Sequence, residues 1–265
     1  MLASVESANQ STQSRTSAGG TFSVSMRLLV RIARTIGPQR AVVANSEHLR
    51  QACFRLIHDE YLARGLCAAN AEGSYCTPYA RKEGSRTFAL PVRGVLGGTV
   101  TLIPDDGGLP LESLYAQEVR ERREQGARLA EVSMLALNSR LFPRSQYSMR
   151  SIHKMRALFS LFAAMHSYCV RCTDVTELVV VVHPRHEGIY KMLRFRRCGP
   201  VRSYATVQGK PALPLVARVA DISEFVTALR LKGFVDSTLL NECDYHDRIL
   251  APGSDLETTC NSIAG

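Results

Sequence analysis

Leu129-Ala130-Glu131-Val132-Ser133-Met134-Leu135-Ala136-Leu137 is apolar except at Glu131 and Ser133. A run this short, free of Gly and Pro and with its polar positions two apart, reads as a β-strand that carries both polar groups on one face. A carboxyl in such surroundings is expensive to bury unless it is hydrogen-bonded or put to use. Further on, Val179-Val180-Val181-Val182-His183-Pro184 repeats the pattern, a β-branched run ending in an imidazole. A continuous run of this kind suits a strand buried on both faces. The two stretches are read as the central strands of one sheet, and each carries a group able to move a proton.

The helices are read outward from these strands. Leu111 to Gln125 has helical character and is closed by Gly126, directly before the Glu131 strand. Ser151 to Cys169 spaces Ile152, Met155, Leu158, Phe159, Phe162 and Met165 at helical intervals and leads into Glu177 to Val182. Ser46, with Glu47 after it, has the signature of an N-cap for a helix over Leu49 to Arg64, stopped by Gly65. Thr87 to Val92 and Val95 to Ile103 flank Arg93-Gly94, a tight hairpin. Val201 to Val207 and Leu213 to Val219 flank Gln208-Gly209-Lys210-Pro211, a second one. Ala41 to Ala44 is a short strand, Arg185 to Leu193 a short helix, and Asp221 to Lys232 a last helix before Gly233. The alternation is that of an α/β (α+β) protein.

With 265 residues, 45% of them apolar, the chain can bury one large core. Residues 1–25 are rich in Ser, Thr and Gly and are expected to be disordered; 26–40 read as a basic amphipathic helix and linker. A domain over 41–220 and a C-terminal helix with an acidic tail over 221–265 complete the division. No run reaches the roughly 20 apolar residues of a membrane span, and the polar opening lacks a secretory layout, so a cytoplasmic location is expected. Peripheral membrane contact through the N-terminal helix stays open. The eight cysteines read as free thiols, and the lone Cys169-x-x-Cys172 pair lacks the partners of a structural zinc site.

Phe54-Arg55-Leu56 with Tyr61, Gly98-Thr99 on a strand, Glu131-Val132-Ser133, and His183-Pro184 with His186 and Tyr190 together resemble the long-chain N-acyl amino acid synthases. These are relatives of the acyl-homoserine-lactone synthases within the GNAT acyltransferase superfamily. The resemblance covers roughly Ala41 to Val219. It implies a GNAT-like acyltransferase fold: a mixed, twisted sheet with helices on both faces, splayed between the Glu131 strand and the Val179 to Val182 strand. It also implies an acyl thioester lying in the splay, met by backbone amides near Leu135 and Ala136 acting as the oxyanion site.

Attack of an amine on a thioester needs a base and an oxyanion donor. Glu131 is the first candidate base, since partial burial raises a carboxyl pKa toward the useful range; the alternative is a structural ion pair with Arg55 or another basic residue. His183 is the second candidate, with a capped strand end as its alternative. The resemblance implies that Tyr190 stands where many GNAT enzymes carry a tyrosine able to protonate the departing thiolate; the alternative is that it packs into the core. Ser133 shares the strand face of Glu131 and is expected to position substrate, as are Arg55 and His186. His183 and His186, without carboxylate or thiolate neighbours, make a poor metal site, and no metal is expected.

The formal charge of +9 is concentrated. No acid occurs from Val132 to Thr173, while Arg144, Arg150, Lys154 and Arg156 are read as a docking face for an anion, with an ordinary solvated surface as the alternative. The stretch Ser145 to Ser151 lacks the glycine of a pyrophosphate-cradling turn. The donor expected is therefore an acyl-phosphopantetheine thioester on an acidic acyl carrier protein rather than acyl-CoA, with no permanently bound cofactor. The acceptor expected is an amino acid. Met134, Arg194 and Ile57 depart from the relatives' usual residues. A homoserine-lactone-type synthase, which would take S-adenosylmethionine, is one alternative. A basic nucleic-acid-binding protein is another, disfavoured because Trp is absent and no aromatic and basic cluster stands out.

Overall fold

The computed structural model describes residues 40–142, 149–231 and Val235, with backbone alone for 149–152. The expected N-terminal disorder and helix, Gly233 and the acidic tail lie outside the described residues, as does Arg144; of Arg150 only the backbone is described.

Among the described residues eight strands form the sheet: β1 Val42–Val43, β2 Arg86–Val92, β3 Val95–Pro104, β4 Leu129–Leu137, β5 Glu177–Val182, β6 Arg196–Arg197, β7 Arg202–Tyr204 and β8 Lys210–Arg218. Their order is β1-β2-β3-β4-β5-β8-β6, with β7 paired to β8 off this path. Every pairing is antiparallel except β4 with β5. The helices are α1 Glu47–Leu62, α2 Glu112–Glu124, α3 Met149–Cys172, α4 Glu187–Met192 and α5 Val219–Leu231. Of these, α1 packs on β3 and β4, while α3 packs on β2 and β3 and carries α5 against it. The larger core joins α3 and α5 to the face bearing Ala130, Val132, Val180 and Leu215. On the opposite face, Tyr115 and Val119 of α2 pack with Leu129, Val179 and Val216, and Phe54 and Ile57 of α1 pack with Met134 and Ala136.

Local chemistry accounts for the boundaries. Ser46 Oγ accepts from Leu49 N at 3.2 Å and starts α1. Arg93 and Gly94 have φ of 53° and 78°, the two positive values a primed hairpin turn requires. The second hairpin turns at Gln208 and Gly209, φ 59° and 69°, one step earlier than the sequence suggests. Lys210 and Pro211 already belong to β8, where Pro211 is opposite Ser203 of the short edge strand β7. The 3-10 turn Pro78–Arg81, started by Thr77 Oγ1 accepting from Ala80 N at 3.3 Å, was not read from the sequence.

Candidate active site

The pairing of β4 with β5 is short. Only Leu129↔Glu177, Ala130↔Leu178 and Glu131↔Val179 are in register. The N-terminal ends are clamped, Arg128 N donating to Thr176 Oγ1 at 3.0 Å and Thr176 N to Arg128 O at 2.8 Å. Beyond Glu131 each strand follows its other neighbour. All six residues of β5 stay in register with β8. β4 stays with β3 but slips register between Thr99 and Thr101, with Met134 at φ 51°. Two β4 residues thus oppose one on β3, a bulge that bends the strand. The two strands part after Glu131.

Glu131 is 4% exposed. Leu111 N, at the start of α2, donates to its Oε2 at 2.8 Å. Burial pushes the carboxyl up to about 8, against the opposing pull of the Leu111 N–H and the Ser133 hydroxyl. Among the described residues Glu131 has no ion pair, so the alternative pairing with Arg55 is not what the fold adopts, and Arg55 lies exposed on α1. The donor at Leu111 is held by a network: Glu112 Oε1 accepts from Leu109 N at 2.7 Å, and Arg123 bridges Glu112 and Asp105. Because this donor is a backbone group on another element, no side-chain pattern announces it.

His183 stands at the end of β5, and its Nδ1 accepts from Arg185 N at 3.2 Å, capping the 3-10 turn Pro184–His186. With the Nδ1 lone pair so engaged, the neutral ring carries its proton on Nε2, a poor arrangement for a base reaching outward. His186 is exposed, and Arg185 Nε donates to its Nε2 at 3.2 Å. Tyr190 is 6% exposed within the larger core, edge-on to Phe162 and Phe195 at 5.8 and 5.5 Å, and burial raises its phenol. Ser133 and Leu135 are half-buried and Ala136 buried, all on the bulged part of β4.

The expected docking face needs one correction. Arg156 is 3% exposed, on the inner side of α3, and cannot meet a partner. The helical period that places Leu158, Phe159 and Phe162 inward also turns Arg156 toward the sheet. Lys154 is half-buried. Glu60 was missed: 5% exposed on α1, it accepts from Ser139 N at 2.6 Å and pairs with Arg64 at 2.6 Å, so it ties α1 to the end of β4. Its spacing from Cys53 and Ile57, on the apolar side of the helix, was the available signal.

The family model of the N-acyl amino acid synthase FeeM matches residues 52–218. The chain belongs to this family. It is an N-acyltransferase, and the nucleic-acid alternative gives way to that assignment. Among solved structures, FeeM, an N-acyl amino acid synthase from uncultured soil microbes, is 25% identical, with a TM-score of 0.59 over 73% of this chain and 96% of that one. The acyl-homoserine-lactone synthase LasI shares the fold at a TM-score of 0.53 and 15% identity, over 68% of this chain and 91% of that one. BjaI, a CoA-dependent acyl-homoserine lactone synthase, does so at 0.54 and 13%, over 76% and 90%. No curated protein matches the sequence. Membership of the FeeM family agrees with the GNAT-like sheet and with acyl transfer as the reaction. Among the described residues no helix is long and apolar enough to cross a membrane.

Proposed function

We propose that the protein moves a long-chain acyl group from the thioester of an acyl carrier protein to the amino group of an amino acid, giving an N-acyl amino acid. The single observation that carries this reading is the parting of β4 from β5 at Glu131, beside a carboxyl that burial holds near 8. The neutral amine attacks the thioester carbonyl, and amides of the bulged strand around Leu135 and Ala136 receive the oxyanion. Glu131 takes the proton the nitrogen loses, directly or through a water. As the tetrahedral intermediate collapses, the C–N bond stays, the C–S bond breaks and the sulfur leaves as a thiolate.

The thiolate needs a proton of matched affinity. A phenol raised above its ordinary value gives one to a thiol of pKa roughly 8.5 only uphill. Protonated Glu131, near 8, is far better matched. Tyr190 accordingly serves as core packing against Phe162 and Phe195, and Glu131 is both base and acid. His183 caps a turn. For the donor, the acid-free stretch from Val132 to Thr173 supports an acidic carrier protein, through Lys154 and the sequence neighbours Arg144 and Arg150. Exposed Arg185, just beyond the end of β5, and exposed Arg194 add positive charge after that strand.

Mass spectrometry of lipids from cells expressing the protein tests this reading. Wild type should yield acylated amino acids, and Glu131→Gln should lower them about 100-fold, the usual scale of a lost general base, with circular dichroism unchanged. Undiminished product would remove Glu131 from the chemistry. Acylated homoserine lactone as the product would replace the acceptor.

A further inference from the structure

β7 pairs with β8 only at Arg202, Ser203 and Tyr204 and stands off the main path of the sheet. Alternation puts Arg202 and Tyr204 on one face of this short strand. Both reach α2. Arg202 Nη1 donates to Leu114 O at 2.5 Å, its Nη2 pairs with Glu118 at 2.8 Å, and the guanidinium lies 4.7 Å over the centre of the Tyr115 ring. Tyr204 Oη donates to Pro110 O at 3.4 Å. Tyr115 in turn donates from its hydroxyl to Ala212 O of β8 at 2.8 Å.

These contacts converge on one peptide group. The amide that donates to Glu131 Oε2 at 2.8 Å is that of Leu111. The carbonyl of the same peptide unit is Pro110 O, which accepts from Tyr204 and, at 2.9 Å, from Ser113 Oγ. The unit is planar, so holding its carbonyl fixes the direction of its N–H. Leu111 O accepts from Leu114 N at 3.0 Å and from Tyr115 N at 2.8 Å, which ties this residue to the two that Arg202 touches. The start of α2 needs such support. Leu111 stands at its N-cap without a capping side chain of its own, and Tyr115, at φ −129° and ψ 40°, breaks the helix about one turn later. The turn before the kink is therefore not carried by the helix after it. Arg123 holds this turn from within α2 through Glu112; Arg202 and Tyr204 hold it from another element.

We propose that Arg202 and Tyr204 are positioning residues for the acyl transfer, gripping the Pro110–Leu111 peptide from β7 so that its N–H stays on the Glu131 carboxyl. The inference rests on Glu131 as the base and adds what keeps that base poised. Burial raises the carboxyl, the Leu111 N–H is the strongest pull against it, ahead of the Ser133 hydroxyl, and the charge of Glu112 on α2 adds to the rise. Tyr115 lies in the buried cluster on the same face, with Tyr79 and Cys198 packed on it. Loosening the peptide weakens the strongest of the opposing pulls, so the carboxyl gives up its proton at a higher pH.

The dependence of kcat on pH, at saturating donor and acceptor, tests it, with Glu131→Gln marking the ascending limb that belongs to the carboxyl. In Arg202→Gln that limb should move about 1 pH unit higher, the scale of a hydrogen bond to a charged group. At neutral pH kcat should then fall about 10-fold, and it should rejoin wild type on the alkaline side of both limbs. Arg202→Lys, which keeps the charge, should recover part of the shift. Tyr204→Phe, which alters no charge, should move the limb the same way by less, and it decides the matter if Arg202→Gln does not fold. A limb that stays in place, or a rate lowered evenly at every pH, would overturn the clamp and leave acyl transfer with Glu131 as base standing. A limb that survives in Glu131→Gln would bring down the base and the clamp together.

Discussion

Glu131→Gln should make the protein more stable, by an amount that grows with pH. The carboxyl titrates at about 8 in the folded chain against an ordinary 4.5. Between those values the native state holds a proton that the unfolded state has released, so unfolding becomes easier as pH rises. The cost is absent below about 4.5, accumulates at roughly 1.4 kcal/mol per pH unit, and is complete above about 8. Over the whole interval from 4.5 to about 8 it comes to about 5 kcal/mol. That is a large share of the 5–15 kcal/mol by which domains of this kind are stable. Glutamine copies the shape of the protonated acid, and its carbonyl oxygen can still accept from Leu111 N, 2.8 Å from Oε2 in the native site. The substitution therefore removes the pH-dependent term and leaves the hydrogen bond. Urea denaturation of both proteins at pH 5, 6, 7 and 8 measures the difference, which should widen steadily in favour of the variant. A difference that stays flat, or that narrows with pH, would mean the carboxyl is ionised in the folded protein, and with it the assignment of one residue to both proton transfers would fall.

Two further substitutions probe how the slot is held open. Glu60→Ala removes the carboxylate that accepts from Ser139 N and pairs with Arg64. It should lower stability by about 2–4 kcal/mol, read as a reduced urea midpoint with unchanged slope; a shift under about 0.5 kcal/mol would put the tie between α1 and β4 elsewhere. At Gly98 an added Cβ would approach Leu137 Cδ2 to 2.6 Å and Ala136 O to 3.2 Å. Gly98→Ala should cost about 1–3 kcal/mol through overpacking and lower the acylation rate as β4 shifts, which thermal unfolding and the product assay would report together; full activity at native stability would show that the bulge tolerates the displacement.

What was legible in the sequence is what side chains announce by period or chemistry. Ser46, the Arg93-Gly94 turn and the strand of Glu131 stand where residue type alone puts them, because caps, turns and alternation are local. Glu131 itself was legible as an oddity in an apolar strand. Its partner was not, since the group that satisfies it is the amide of Leu111, twenty residues away and on another element. The helix over Ser151 to Cys169 was legible, yet its charges misled: position on the helix face decides whether a basic residue meets solvent, and Arg156 falls on the buried side. The Pro78–Arg81 turn has a cap and a proline to mark it but no apolar period, and so nothing in the alternation of the sequence announces it.

The open slot follows from unequal loyalty among strands. β5 is paired with β8 along its full length, and β4 is paired with β3 on both sides of its bulge. Only three residue pairs join the two halves, at the end where Arg128 and Thr176 clamp them. A bulge at Met134 bends β4 and increases its local twist, so the strand leaves β5 instead of rejoining it. The bend needs room on the β3 side, and Gly98, opposite Leu137, supplies it by having no side chain. The positive φ of Met134 costs about 1–3 kcal/mol unless its surroundings compensate, and its side chain, 4% exposed against Phe54 and Ile57 of α1, recovers part of this by burial. The helix that shores up the bulge thereby helps to hold the strands apart, and the separation of β4 from β5 depends on the contact between α1 and Met134.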